Sequence, residues 1–384
     1  MTRKLLIAGV AVSAIVLAGC SSSSSSSTSS AAAPSAAAPS AAAPSAAAPS
    51  DTALASASNT AAPAVTTDDS NCADPASYCI GLVTDTGKVD DKSFNQSAWD
   101  GAQAAGKELG AYTKYIESTD PKDFASNIQQ FVDKKYDVIV TVGFLMTEAA
   151  TAAAKANPNI QFIGVDQFQA ATLPNLTGLV FDEDKAGYAA GYLAGLVTKT
   201  NKVGAVLGTD TVPPVKKFGE GYKNGAMAAN PNVKVTLVYH DPNNAFNDPV
   251  WGASEAKKQL AQGNDIIFAA GGKTGNGGLI EIAKNPGAGK TVFCIGVDTD
   301  QYLTVPEAAK CLLTSAEKML QQGTGDLVLL AAQGKAPGGN YTGNVGLADP
   351  HDTASAVSPE IQDKVKAVIQ GLSDGSIQTG VKLG

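Results

Sequence analysis

From Tyr78 onward the chain alternates short apolar runs with stretches whose apolar residues recur at helical spacing. Ile80–Thr84, Thr113–Glu117, Tyr136–Val142 and Ile160–Asp166 read as strands. Ser97–Leu109, Phe124–Lys134 and Thr147–Lys155 read as helices, the second opened by Pro121. The alternation resumes with strands at Lys202–Leu207, Val233–Tyr239, Asp265–Ala270 and Thr291–Val297, separated by helices at Phe218–Ala229, Trp251–Gln262 and Leu279–Lys284. Short strands separated by helices indicate βαβ units and parallel sheets. Their continuous apolar runs fit sheets covered on both faces. The expected fold class is therefore α/β. The strand ends carry Asp85, Asp166, Gly271-Gly272 and Asp298. Ligands of open parallel sheets bind beyond the carboxyl ends of the strands. Two such sheets in one chain predict two lobes whose strand ends face each other across a cleft.

The chain before Tyr78 has a different pattern. Arg3 and Lys4 precede an uncharged apolar run from Leu5 to Gly19, shorter than the roughly 20 residues that a membrane-spanning helix needs and of the size of a secretory signal core. It ends in Leu17-Ala18-Gly19-Cys20, which resembles the bacterial lipobox, where Cys20 would become the lipid-bearing first residue of the mature chain. Residues 21–30 are Ser with one Thr, and residues 31–50 are four copies of Ala-Ala-Ala-Pro-Ser. Nothing here can repay the entropy of folding, and a recurrent Pro blocks an Ala helix. The segment reads as a disordered tether, spanning roughly 40 Å on average if it behaves as a flexible coil of about 50 residues. It would hold a globular module away from a lipid anchor on the extracytoplasmic face of a cell membrane.

Composition narrows the function. Among 384 residues, Lys plus Arg number 28 and Asp plus Glu 36, for a net charge of −8, which becomes −10 once Arg3 and Lys4 are cleaved away. That balance opposes nucleic-acid binding, which needs cations against phosphate. Two histidines, His240 and His351, leave little for a zinc site or for histidine acid–base chemistry. Of five cysteines, Cys20 is the lipid candidate. The other four suggest disulfides in an exported chain. Cys72 and Cys79 bracket a local loop. Cys294 and Cys311 are then the second pair by elimination, with a buried free thiol at Cys294 as the alternative.

Several motifs are weaker than they look. Gly271-Gly-Lys-Thr-Gly-Asn-Gly-Gly278 lacks the earlier Gly of a phosphate loop, because that position is Ile267, and Ile280 breaks the dinucleotide pattern. The turn suits close backbone approach to a ligand at a helix start. His240 has no nucleophile-elbow serine beside it and reads as a surface residue. Trp99 and Trp251 read as core or cleft rim. Asp90-Asp91 alone is too little for the metal site that a nucleoside hydrolase would need.

The run from Gly81 to Ala104, with Asp85 and then Asp90-Asp-Lys-Ser-Phe-Asn-Gln-Ser97, resembles the opening of the basic membrane protein family. These are the purine nucleoside receptor A-like lipoproteins of bacterial ABC importers. Phe181–Gly195, Phe218-Gly-Glu-Gly-Tyr222, Phe246-Asn-Asp248, Ala269–Gly272, Gly296–Gln301 and Thr314–Lys318 continue the resemblance in order, over residues 79 to 384. It implies a class I periplasmic-binding-protein fold, two Rossmann-like parallel-sheet lobes joined by a three-crossing hinge. It implies a monomeric solute-binding lipoprotein rather than an enzyme, without cofactor or metal. The protein would capture a purine nucleoside and deliver it to ABC permease and ATPase subunits. Phe94 and Phe246, one from each lobe, would sandwich the base. Asp85 and Asp166 would face its edge, with Asn95 nearby. Asp298, Lys318 and the Gly272 backbone would hold the ribose. The family commonly has Gly-Gly-Thr-Gly where this chain inserts Lys273, which could alter the ribose end or simply point to solvent. A sugar or small signalling molecule in the same fold is the alternative ligand. The expected division is a signal at 1–19, Cys20 and the tether at 20–71, a first lobe of 72–182 plus about 303–335, and a second lobe of 183–302 plus about 336–384.

Overall fold

The computed structural model describes residues 68–383, which belong to one compact unit. The signal segment, Cys20 and most of the expected tether lie outside the described residues. In the first lobe, β1 (Cys79–Thr84), α1 (Phe94–Leu109), β2 (Tyr112–Glu117), α2 (Phe124–Asp133), β3 (Val138–Val142), α3 (Thr147–Ala156), β4 (Gln161–Val165) and β5 (Leu176–Val180) follow in order. The second lobe runs through α4 (Glu183–Val197), β6 (Lys202–Leu207), α5 (Pro213–Ala229), β7 (Lys234–Tyr239), α6 (Pro249–Ala261), β8 (Ile266–Ala270), α7 (Gly272–Ala283), β9 (Phe293–Asp298), α8 (Gln301–Thr304) and β10 (Leu312–Lys318). Then α9 (Leu320–Ala332) and β11 (Gly339–Thr342) return to the first lobe, and β12 (Val345–Leu347) and α10 (Pro359–Asp374) close the second.

The sheets have the orders β11-β5-β4-β3-β1-β2 and β12-β10-β9-β8-β6-β7. All pairings are parallel except β12 on β10. Each sheet is covered on both faces, as the unbroken apolar runs predict. Val138, Val140 and Val142 pack under α1 and α9, while Ile139 and Phe162 pack against Ile128 and Phe131 of α2. Helices α4 and α5 touch backbone to backbone: a Cβ on Gly191 would lie 1.9 Å from the Tyr222 carbonyl, and one on Gly225 1.9 Å from the Tyr188 carbonyl. Disulfides join Cys72 to Cys79 and Cys294 to Cys311, so the free-thiol alternative at Cys294 does not hold.

The two lobes repeat one plan. Phe162-Ile-Gly-Val-Asp166 and Cys294-Ile-Gly-Val-Asp298 run through the fourth strand of each lobe. Asp166 and Asp298 therefore occupy equivalent strand ends, and both sit in the left-handed region, at φ 60° and 67°. Non-glycine residues rarely adopt that conformation, and such strain clusters at functional sites.

Four expectations need correction. First, the hinge crossings fall at 180–183, 318–320 and 342–345, not near 303 and 336. β10 stays with the second lobe because it pairs in parallel with β9 from Leu312↔Cys294 to Glu317↔Asp298, while α9 packs on α1 and β11 pairs with β5. Second, order begins before residue 72: Asp69–Asn71 form a helical turn, and Asp69 pairs with Lys114 at 2.9 Å and Lys134 at 2.7 Å. Third, α7 starts at Gly272 rather than Leu279, because tertiary bonds hold its glycine-rich first turns. Thr274 Oγ1 accepts from the Asp248 amide at 2.8 Å, and the Lys273 amide donates to the Phe246 carbonyl at 3.0 Å. Fourth, His240 is buried, with its ring edge-on to Trp251 at 4.5 Å between centroids. Among the described residues no helix is long and apolar enough to cross a membrane.

Candidate functional site

The facing strand ends enclose a cavity between the lobes. Asp85, Phe94, Asn95, Asp166, Phe246, Gly272, Asp298 and Lys318 all line it.

The first-lobe wall is built around Asp91. This buried carboxylate accepts from the amides of Ser93 (3.0 Å), Asn95 (2.9 Å) and Gln96 (3.1 Å), and so caps the start of α1 from outside the helix. It also accepts from Asn95 Nδ2 at 3.0 Å, which orients that amide and leaves Asn95 Oδ1 buried without a partner. Phe94, the first residue of α1, is thereby presented to the cavity. Asp85 leaves the end of β1 with Oδ1 accepting from the Gly87 amide at 3.1 Å. Its other oxygen lies where a side chain on Gly143 would be: a Cβ there would be 2.0 Å away, and Gly143 has φ 112°. Phe144 completes this wall.

The second-lobe wall has Phe246 on the β7–α6 loop, Gly271 and Gly272 at the start of α7, Val212, Pro214, Val215 and Phe218 around α5, and Asp298 and Lys318 at the ends of β9 and β10. Lys318 is the electrostatic centre. Its ammonium lies 2.6 Å from Asp166, 3.6 Å from Glu183 and 4.0 Å from Asp298, and 4.7 Å from the centroid of the Phe94 ring. Glu183, buried at the start of α4, also pairs with Lys217 at 3.0 Å. Burial alone would pull Lys318 down, but its three carboxylate neighbours outweigh that and raise it, so it is a cation at neutral pH. Burial pushes Asp166 and Asp298 up, against the opposing pull of Lys318. Burial, with the charges of Asp91 and Asp166 adding to it, pushes Asp85 up to about 7, against the Gly87 hydrogen bond. Asp91 is pushed up to about 6 by burial, held back by its hydrogen bonds to Asn95, Gln96 and Ser93.

Besides the Lys318–Asp166 pair, polar contacts to one first-lobe segment, residues 90–93, join the lobes. Ser93 Oγ donates to Asp298 at 2.7 Å, Asn276 Nδ2 to the Asp91 carbonyl at 2.7 Å, and Thr304 Oγ1 to the Lys92 carbonyl at 2.8 Å. Lys273 reaches across to Asp90 at 2.6 Å. The inserted cation therefore spans the lobes at the rim instead of entering the ligand end.

Sequence reasoning missed Asp91, Phe144, Phe218 and Glu183. Phe218 and Glu183 lie inside quoted motifs but look like ordinary helix residues. Asp91 could have been singled out by its spacing, since a carboxylate just before a helix start can cap it. Nothing along the chain marks Phe144.

The family model described as ABC transporter substrate-binding protein PnrA-like matches residues 80–341. A CD4+ T-cell-stimulating antigen of Listeria monocytogenes is 33% identical, over 79% of this chain and 88% of that protein. The ABC transporter nucleoside-binding protein BmpA of Lactococcus lactis is 32% identical, over 77% and 87%. A solved ABC transporter solute-binding protein from Aeropyrum pernix superposes with a TM-score of 0.71 at 22% identity, covering 78% of this chain and 92% of that one.

Proposed function

This chain belongs to the PnrA-like family of ABC transporter substrate-binding proteins, and on that premise we propose that its interlobe cavity captures a purine nucleoside for delivery to a membrane permease. The family is one of solute receivers rather than enzymes. The observation that carries the nucleoside reading is a pair of aromatic rings, Phe94 from the first lobe and Phe246 from the second, on one cavity with two buried, unpartnered acceptors, Asn95 Oδ1 and Asp166 Oδ1. A purine supplies flat faces for the rings and N–H donors for the acceptors. An unpaired buried acceptor costs about 1–3 kcal/mol, which a ligand donor recovers. The printed name of the Lactococcus lactis relative supports the same class.

In this reading Phe94 and Phe246 flank the base, and Asp85, Asn95 and Asp166 face its edge. Asp298, Lys318 and the Gly272 backbone take the ribose hydroxyls. The ligand touches both lobes only when they are closed, so binding favours the closed state. Cys20 and the segment after it would anchor the receiver outside the membrane, within reach of the permease and its ATPase.

Titration calorimetry of the purified protein with adenosine, guanosine, inosine and ribose tests the reading. Nucleosides bind and ribose does not. Binding of ribose without any nucleoside would assign the cavity to a sugar instead.

A further inference from the structure

The polar side chains of the first-lobe wall offer the cavity acceptors. The backbone N–H of Asn95 and one of its two Nδ2 hydrogens go to Asp91, which fixes the side-chain amide and leaves Oδ1 buried without a partner. Asp166 gives Oδ2 to Lys318 and keeps Oδ1 buried and unpartnered. Asp85 gives Oδ1 to the Gly87 amide and turns its second oxygen toward Gly143 on the cavity wall. Because Asp91 fixes the Asn95 amide, its oxygen is held as a buried acceptor that a ligand donor can satisfy.

We propose that this acceptor set selects purines with paired edge donors, the N1–H and 2-amino group of a guanine-type base, over adenine, and that Asp85 is the discriminating residue. The proposal deepens the nucleoside reading and rests on it. An ionised carboxylate keeps acceptor capacity on both oxygens, on Oδ1 beside its bond from the Gly87 amide, and so can match two parallel N–H donors. Adenine presents an acceptor at N1, and a site built around hydrogen bonds rejects the analogue that leaves them unmade.

The same geometry predicts opposite responses to pH. The charged groups that bear on Asp85 are Asp91, from the loop before α1, and Asp166, after β4; the cation Lys318 is engaged by Asp166, Glu183 and Asp298. With burial they bring Asp85 up to about 7. The protonated acid offers one donor and one acceptor, the complement of adenine N1 and its 6-amino group. The ionised form is the complement of the guanine edge. Guanosine binding then releases the proton and strengthens as pH rises toward and through the free-state value, levelling above it. Adenosine binding weakens over the same interval.

The test is calorimetric titration of the intact protein with guanosine, inosine and adenosine at about pH 5.5 and about pH 8.5. At the higher pH guanosine should bind tighter than adenosine by roughly tenfold or more, with inosine, which has N1–H alone, between them. Asp85→Asn, whose amide offers one donor and one acceptor, should reverse the order. Equal affinity for guanosine and adenosine at the higher pH, or affinities that move with pH in the same direction, overturns the selectivity and leaves the nucleoside reading standing. If none of the three nucleosides binds, both fall. The wild-type pH comparison decides the matter even if the variant does not fold.

Discussion

The ammonium of Lys318 lies 2.6 Å from the carboxylate of Asp166 across the interlobe boundary, with both side chains buried. Lys318 is the last residue of a second-lobe strand and Asp166 follows a first-lobe strand, so the pair bridges the two lobes. It ties the ligand cavity to the second hinge crossing, which begins at Lys318.

Lys318→Met should therefore act on the whole cluster. It leaves Asp166, Glu183 and Asp298 without their shared cation. Removing one partner of a buried ion pair typically costs about 3–5 kcal/mol. The expected result is a lowered melting temperature together with weakened nucleoside binding. A variant that melts and binds like the wild type would mean that the three carboxylates do not depend on Lys318.

Phe94→Ala and Phe246→Ala should each weaken nucleoside binding by roughly 1–3 kcal/mol if both rings stack on the base. Calorimetry on the two single variants measures it. A loss at only one of them would rule out the two-sided stack and favour a sugar-sized ligand.

Lys273→Ala removes the ion pair to Asp90 at the rim. Pairs this exposed are worth about 0.2–1 kcal/mol, a few-fold in the rate at which the closed lobes release ligand. Added salt should speed release from the wild type and have less effect on the variant, because the pair is screened. Stopped-flow dissociation at low and high salt would detect the difference; identical salt responses would show that the pair does not hold the lobes together.

Asp85 carries a stability cost with a definite sign. Its folded value, about 7, stands above the ordinary value of 3.8, so the folded state retains a proton that the unfolded chain has already lost. Stability falls as pH rises from about 4 to about 7 and stays reduced above that. Asp85→Asn should accordingly raise the melting temperature of the ligand-free protein at pH 7.5 by more than at pH 4.5. Equal shifts at the two pH values would contradict the burial argument.

The strands were legible because each is a short apolar run written in consecutive residues. The polar groups at their ends were legible because parallel sheets put strand ends at one edge. That is why Asp85 and Asp166 in one lobe and Asp298 in the other stand out in the sequence alone. The α7 start is hidden in the sequence because glycine-rich sequence disfavours helix, and contacts from Asp248 and Phe246 override that preference. The second hinge crossing is hidden in the sequence because only a short helix and a helical turn separate β10 from β9, in place of another full strand–helix unit.

By itself the sequence determined the α/β alternation, the facing strand ends with their carboxylates, the acidic balance and the ordered motifs of the family, all of which are properties of neighbouring residues. The tertiary structure decided where the chain changes lobes, that Lys273 meets Asp90, and that Lys318 meets Asp166 and Glu183. The cross-lobe meetings join residues far apart along the chain, or on opposite lobes, and their distances are set by how two rigid sheets close on each other, a relation that no local spacing encodes.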